Sequence, residues 1–249
     1  MSRDISHILR EWKYDPDNAI RIILADDGHK VMQVRQPLGI EQYELDGRPD
    51  GKRPFGKPTV LDEIEGRLMK HQEKYNTDEG FKISHDEFVM LQNEGIMFYY
   101  RYLHLFQVGD YERTIRDTEH NLKICELAEK YCEKDDDPMV ILQYRPYILR
   151  MNAISKAMIS LHKNLKAMAQ QILESAINSI NEIPEIDSPT FQFEKARSLN
   201  YLKAALNQVK EKEEGPVDKL RKELEEAVAE EDYERAAQLR DRINDLTQE

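Results

Sequence analysis

Cysteine is nearly absent: the chain has two, Cys125 and Cys132. Seven residues apart on a stretch of helical spacing, they are separated too far along the axis for an easy disulfide. They also lack the Cys-x-x-Cys pairing of a zinc site. Both read as reduced, mostly buried thiols, and neither a metal nor a cofactor is expected. No stretch reaches the roughly eighteen apolar residues of a membrane-spanning helix. No charged start leads into a long apolar run, so a secretory leader is not expected either. A cytoplasmic chain is the expectation.

An excess of basic residues is missing too. The net charge is −12. Residues 1–58 hold ten basic and ten acidic side chains, residues 59–215 hold 20 and 27, and residues 216–249 hold 6 and 11. None of these regions has the surplus of Lys and Arg that neutralising phosphates requires. Direct contact with nucleic acid is therefore not expected, with a local basic patch left open. Catalytic signatures are also missing. There is no His-Glu-x-x-His, Gly-x-Ser-x-Gly, P-loop or Gly-x-Gly-x-x-Gly pattern. The seven histidines are scattered, and His104 and His120 read as partly buried structural residues. Nothing in the chain requires an enzyme.

Glycine and proline are concentrated early. A short amphipathic helix is expected over residues 5–12, then three β-like runs at 19–24, 30–35 and 40–45. Asp26-Asp27-Gly28-His29 joins the first two, and Gly supplies the positive φ that a hairpin turn needs. Pro37-Leu38-Gly39 gives the second turn, so a three-stranded antiparallel meander is expected. Residues 46–58, "DGRPDGKRPFGKP", form a turn-rich loop. It gathers Asp46, Arg48, Asp50, Lys52 and Arg53. Two readings stand: a recognition loop in which Arg48 and Arg53 grip a carboxylate or phosphate, or a rigid connector whose Arg and Asp pair with each other. This opening looks like that of an uncharacterised group of bacterial proteins described mainly by a C-terminal motif.

From Thr59 onward helical spacing dominates. Val60, Leu61, Ile64, Leu68 and His71 follow one face. Residues 76–88 read as a loop, with Ser84 and Glu87 forming a capping box. The next helix carries Phe88, Leu91, Ile96, Phe98, Tyr99, Tyr102, Leu105 and Phe106. Residues 105–124 resemble the turn and second helix of a tetratricopeptide repeat, through Gly109, Asp110, Tyr111 and Ile115. Tyr102, Thr114 and Asn121 depart from that pattern, being bulky or polar where the repeat has small residues. A second match, over residues 151–183, rests on Ala157, Asn164, Ala169, Leu173 and Ala176. Gly109 and Asn164 lie 55 residues apart, against roughly 34 in that repeat, so an extra segment must intervene. A further helix is expected over residues 191–209. The result would be stacked helical hairpins with a concave, peptide-holding face, or a compact bundle. Phe98, Tyr99, Tyr102 and Tyr111 read as core, with ligand binding left open. Tyr144-Arg145-Pro146-Tyr147 marks a helix break or a contact surface.

The C-terminal residues 216–246 read as two short helices folded together. Leu220, Leu224, Ala227 and Val228 share one face; Ala236, Leu239, Ile243 and Leu246 share the other. Asp232 suits the N-cap of the second helix, Pro216 the start of the first, and Gly215 the break before it. The segment closely resembles the UVR motif, the helical hairpin of the excision-nuclease subunits UvrB and UvrC. The residues that carry the resemblance are Leu224, Ala227, Val228, Asp232, Tyr233, Glu234, Ala236, Ala237, Leu239, Arg240, Asp241 and Ile243. The resemblance implies a docking element without an active site. So small an apolar stripe cannot by itself offset the entropy of ordering the segment. It needs a second surface: the rest of this chain, a second copy, or a partner's hairpin. The expected docking residues are Leu224, Val228, Tyr233, Glu234, Ala236, Ala237, Leu239, Arg240 and Ile243.

The expected fold is mainly α. A small β-meander domain covers residues 1–58, a tetratricopeptide-like helical body 59–212, and the hairpin 213–249. The expected function is a non-enzymatic adaptor with protein partners. Two alternatives stand beside it: an accessory factor of nucleotide excision repair acting through UvrB/UvrC-type contacts, and a regulator of a chaperone-linked protease.

Overall fold

The computed structural model describes residues 4–211, 220, 223–224, 227–228 and 232–247, the side chains of 211, 234 and 244–247 aside. The expected break at Gly215, the helix start at Pro216, the boundary after residue 212 and the Leu246 side chain lie outside the described residues. The protein is mainly helical, with one small sheet near its start. After α1 (Ser6–Glu11), strands β1 (Ile20–Leu24), β2 (Lys30–Gln36) and β3 (Gly39–Glu44) form an antiparallel meander in the order β1-β2-β3. Gly28, at φ 88°, turns the first hairpin. Its amide donates to the Ala25 carbonyl at 2.9 Å. Alternation of side chains sends Met32 and Val34 to one face, where they join Leu45 and Leu105 in a shared core. The sheet is thereby seated on the helical body.

The body that follows the meander holds, among the described residues, seven helices, of which α5 is the shortest: α2 (Val60–Tyr75), α3 (His85–Gln107), α4 (Tyr111–Tyr131), α5 (Asp137–Leu142), α6 (Arg145–His162), α7 (Lys166–Glu182) and α8 (Pro189–Glu211). Ser84 opens α3 with the expected capping box, its side chain and that of Glu87 each bonding the other's backbone. Asp110 caps α4, and Gly109 at φ 77° makes the turn between α3 and α4. Asn164 at φ 58° does the same between α6 and α7. Between Gly109 and Asn164 the chain forms α4, α5 and α6.

Two larger apolar clusters, and a smaller one around Cys125, Leu142 and Ile148, sit in the body among the described residues. Val60, Leu61, Ile64, Phe88, Leu91, Ile124 and Ala128 join α2, α3 and α4. Ala153, Ala157, Ala169, Leu173, Ala176, Ile180 and Leu202 join α6, α7 and α8. Thr114 and Asn121 are buried despite their polarity. The Thr114 hydroxyl donates to the Asp110 carbonyl at 2.8 Å, and the Asn121 amide donates to the Gly95 carbonyl at 2.9 Å. α4 packs beside Gly95, where a Cβ would meet Asn121 Oδ1 in ordinary contact at 3.5 Å. Ile96, expected among the apolar positions of α3, is 45% exposed. Residue 94, two positions earlier, takes the buried place with a carboxylate instead.

Candidate functional site

Arg101 lies on the same stripe of α3 as Leu91, Phe98 and Leu105 and is fully buried. Its Nε and Nη2 donate to the two carboxylate oxygens of Asp117 on α4, at 2.6 and 2.8 Å. Its Nη1 donates to the carbonyls of Glu44 and Gly47, both at 2.8 Å. One side chain thus ties two helices to the end of β3. Glu94, also fully buried, accepts from the Val60 and Leu61 amides at 2.8 and 3.1 Å. These are orphan donors at the start of α2, where a negative charge is favoured. Arg48 and His120 approach Glu94 at 3.6 and 3.3 Å. The His120 ring stacks flat on Phe98, centroids 3.6 Å apart.

The loop of residues 46–58 is bound into this network. Asp46 accepts from Arg116 at 2.7 Å and stands 3.7 Å from Arg113. Arg48 pairs with Asp50 at 3.0 Å, and Arg116 also donates to the Leu45 carbonyl at 2.7 Å. Arg48 and Asp50 thus pair within the loop, while Asp46 pairs with arginines of α4. Arg53 is exposed and makes no ion pair among the described residues. Sequence reading missed Glu94, Arg101 and Asp117. Their signal was a charge inside an apolar helical stripe, which a helix tolerates only when the charge finds a partner.

A groove of about 480 Å³ opens between α3, α4, α5, α6 and α8. Tyr99, Tyr100, Tyr102, Tyr144 and Tyr147 supply most of its aromatic lining. The rings of Tyr99 and Tyr102 meet edge to face at 5.6 Å, and Tyr147 stands 5.9 Å from Tyr99. Burial pushes the phenols of Tyr102 and Tyr147 well above their ordinary range, so both stay protonated. The Tyr144-to-Tyr147 stretch is both a helix break, between α5 and α6, and part of this surface. Cys125, on the groove's floor, is pushed up to about 12 by burial and is an inert thiol. Among the described residues no group of three His, Cys, Asp or Glu side chains could hold a metal ion. No helix among them is long and apolar enough to cross a membrane.

At the C-terminus, Leu220, Leu224, Ala227 and Val228 are helical, and a last helix spans Tyr233–Thr247. Asp232 caps that helix, its carboxylate accepting from the Arg235 amide at 3.1 Å. Buried Ala227, Ala236 and Leu239 pack with partly buried Leu220 and Leu224 as a cluster of their own. Ile243 is buried as well. Tyr233 is 69% and Val228 51% exposed, and Ala237 and Arg240 are also exposed. Of the expected docking residues, then, Ala236, Leu239 and Ile243 are buried, while Val228, Tyr233, Ala237 and Arg240 face outward. The Glu234 side chain lies outside the described set.

Residues 214–249 match the UvrB/uvrC motif (UVR). The match covers this hairpin and leaves the helical body and the sheet unmatched. No curated protein and no solved structure matches the chain.

Proposed function

We propose that this protein is a non-enzymatic adaptor that captures a protein partner through its C-terminal hairpin. The observation that carries the reading is the division within the hairpin. Ala227, Ala236 and Leu239 close a small core, while Tyr233 and Val228 stand in solvent beside it, all inside the segment that matches the UVR motif. A large aromatic held outward on an ordered helix offers the anchor that interfaces favour. The facing surface would be another protein, with a second hairpin of the same kind as the natural complement. In this reading the helical body, with its tetratricopeptide-like hairpins, carries the hairpin and adds a second contact surface, and the protein works in the cytoplasm.

Tyr233→Ala tests this directly. An exposed residue contributes little to the fold, so the variant should keep the melting temperature of the parent chain. Partner capture from lysate should fall at least about tenfold if Tyr233 is an interface anchor. Capture equal to that of the parent chain would remove Tyr233 from the docking surface. A second reading is favoured by the motif's name: contact with the excision-repair machinery. The acidic balance of the hairpin, 6 basic to 11 acidic residues over 216–249, directs that contact through protein. Strongly salt-dependent affinity of the chain for duplex DNA would point instead to direct DNA contact. Regulation of a chaperone-linked protease rests on family analogy alone.

A further inference from the structure

The outer edge of β1 is open. Among the described residues β1 pairs with β2 alone, in the register Ile20–Val34, Ile22–Met32 and Leu24–Lys30. The inward bonds at its two ends fall on odd-numbered residues. The Arg35 amide donates to the Ala19 carbonyl at 2.7 Å, and the Ala25 amide to the His29 carbonyl at 2.8 Å. Bonded pairs alternate along an antiparallel ladder, so Ile20, Ile22 and Leu24 turn their amides and carbonyls away from β2. No partner meets these groups among the described residues. Ile20 packs against the core of Met32, Val34, Leu45 and Leu105. Ile22 and Leu24 lie on the same face but are left uncovered, 45% and 66% exposed. An open edge is normally guarded by charge, proline or a covering segment. The opposite edge has such guards: β3 carries Glu41 and Glu44, and the Glu44 amide donates to the Pro49 carbonyl at 2.9 Å. On β1 the one charge is Arg21, which lies on the other face. It stacks on Trp12, 3.9 Å from the ring centroid, and donates to Gln33 Oε1 at 3.0 and 2.8 Å.

An edge of this kind takes another strand, and the sequence of β1 points to which. Laid antiparallel beside a second copy about a two-fold axis at Ile22, β1 sets Ile22 against Ile22 and Ile20 against Leu24. These are the residues whose amides and carbonyls point outward, so every open group meets its complement. The apolar face is continued as well, because residues opposite each other in an antiparallel pair share a face. Arg21 comes opposite Ile23, and no like charges face each other across the pair. Residues 1–58 hold ten basic and ten acidic side chains. Two copies of this region therefore meet without the repulsion that the whole chain's net charge of −12 brings elsewhere. The contact is small, five residues from each strand. It falls below the ~1,200 Å² of standard interfaces, which puts the dissociation constant on the order of 100 micromolar.

We propose that β1 pairs with β1 of a second copy of this chain, antiparallel about Ile22, joining two meanders into one continuous sheet. This contact is separate from the hairpin, and neither reading depends on the other. The test uses the full chain in analytical ultracentrifugation from ~10 micromolar to ~1 millimolar, where a monomer–dimer equilibrium is expected. Amide exchange followed by NMR locates the contact. Between the two ends of that range the Ile20, Ile22 and Leu24 amides should slow about fivefold, while those of Arg21 and Ile23, already bonded to β2, should change little. Ile22→Lys and Ile22→Glu, at an exposed position, should each keep the melting temperature of the parent chain. Each should weaken self-association about tenfold or more, since like charges then face each other. Mixing the two variants should restore it, because in this register position 22 meets its own copy. Tyr233→Ala should leave the equilibrium unchanged. A chain that stays monomeric across the range would overturn the proposal, even if another protein's strand protected the same amides. A dimer without that protection, or one that Tyr233→Ala abolishes, would overturn it by placing the contact elsewhere. Failure of the mixed variants to associate would overturn the two-fold register.

Discussion

Arg101 and Asp117 show how much a single buried pair can decide. Their partnership is bidentate, and the same guanidinium also holds two carbonyls at the end of the sheet. A buried ion pair is weak evidence of net stability, but breaking one side of it leaves a charge uncompensated. Asp117→Asn should therefore cost about 3–5 kcal/mol of unfolding free energy, measured by chemical denaturation. A loss below about 1 kcal/mol would show that water or a neighbouring group replaces the carboxylate. His104 supplies a prediction of a different sign. Burial holds its imidazole below the ordinary value, so the unfolded chain takes up the proton first. Its contribution is complete above about pH 6.5 and is lost as the pH falls from there toward the lower folded value. His29 is held in the opposite direction by Asp27 and Glu44, so the two must be separated by subtraction. The stability of His104→Gln should fall less steeply than that of the parent chain as the pH drops below about 6.5. Parallel curves would assign no acid sensitivity to this residue.

The helices form where local rules agree, and the caps set their edges. The capping box at Ser84 satisfies two orphan groups reciprocally at the start of α3. Ser84→Ala should cost about 1 kcal/mol by thermal or chemical melting, and an unchanged midpoint would mean that the loop before α3 adapts without loss. These same rules explain what was legible in the sequence. The three strands lie within a residue or two of their expected spans because alternation and the Asp-Gly and Pro-Leu turns fix both ends. Ser84, Gly109 and Asn164 marked helix ends through residue types that those positions require. The site residues were less legible. Periodicity ranks Glu94, Arg101 and Asp117 as solvent-facing because a charge normally belongs there, and only the neighbouring helix reveals the partner. Ile96 illustrates the converse, an apolar side chain in solvent beside a buried carboxylate. The groove was hidden for a related reason. Tyr99 and Tyr147 come from different helices, and only packing brings their rings to 5.9 Å. In the hairpin, the stripe was readable, but which of its residues close inward depended on how the two helices face each other.

At the scale of the molecule, the sheet, the connector loop and α3 share one buried network, while the hairpin keeps its own small core. That division suits an adaptor whose docking element meets a partner without disturbing the body. Affinity capture comparing the full chain with one ending at Lys212 tests this account most directly. Specific proteins retained by the full chain and lost on truncation, with the truncated body melting as before, are the predicted result. Identical capture by both chains would contradict a docking role for the hairpin and move the search for partners to the body.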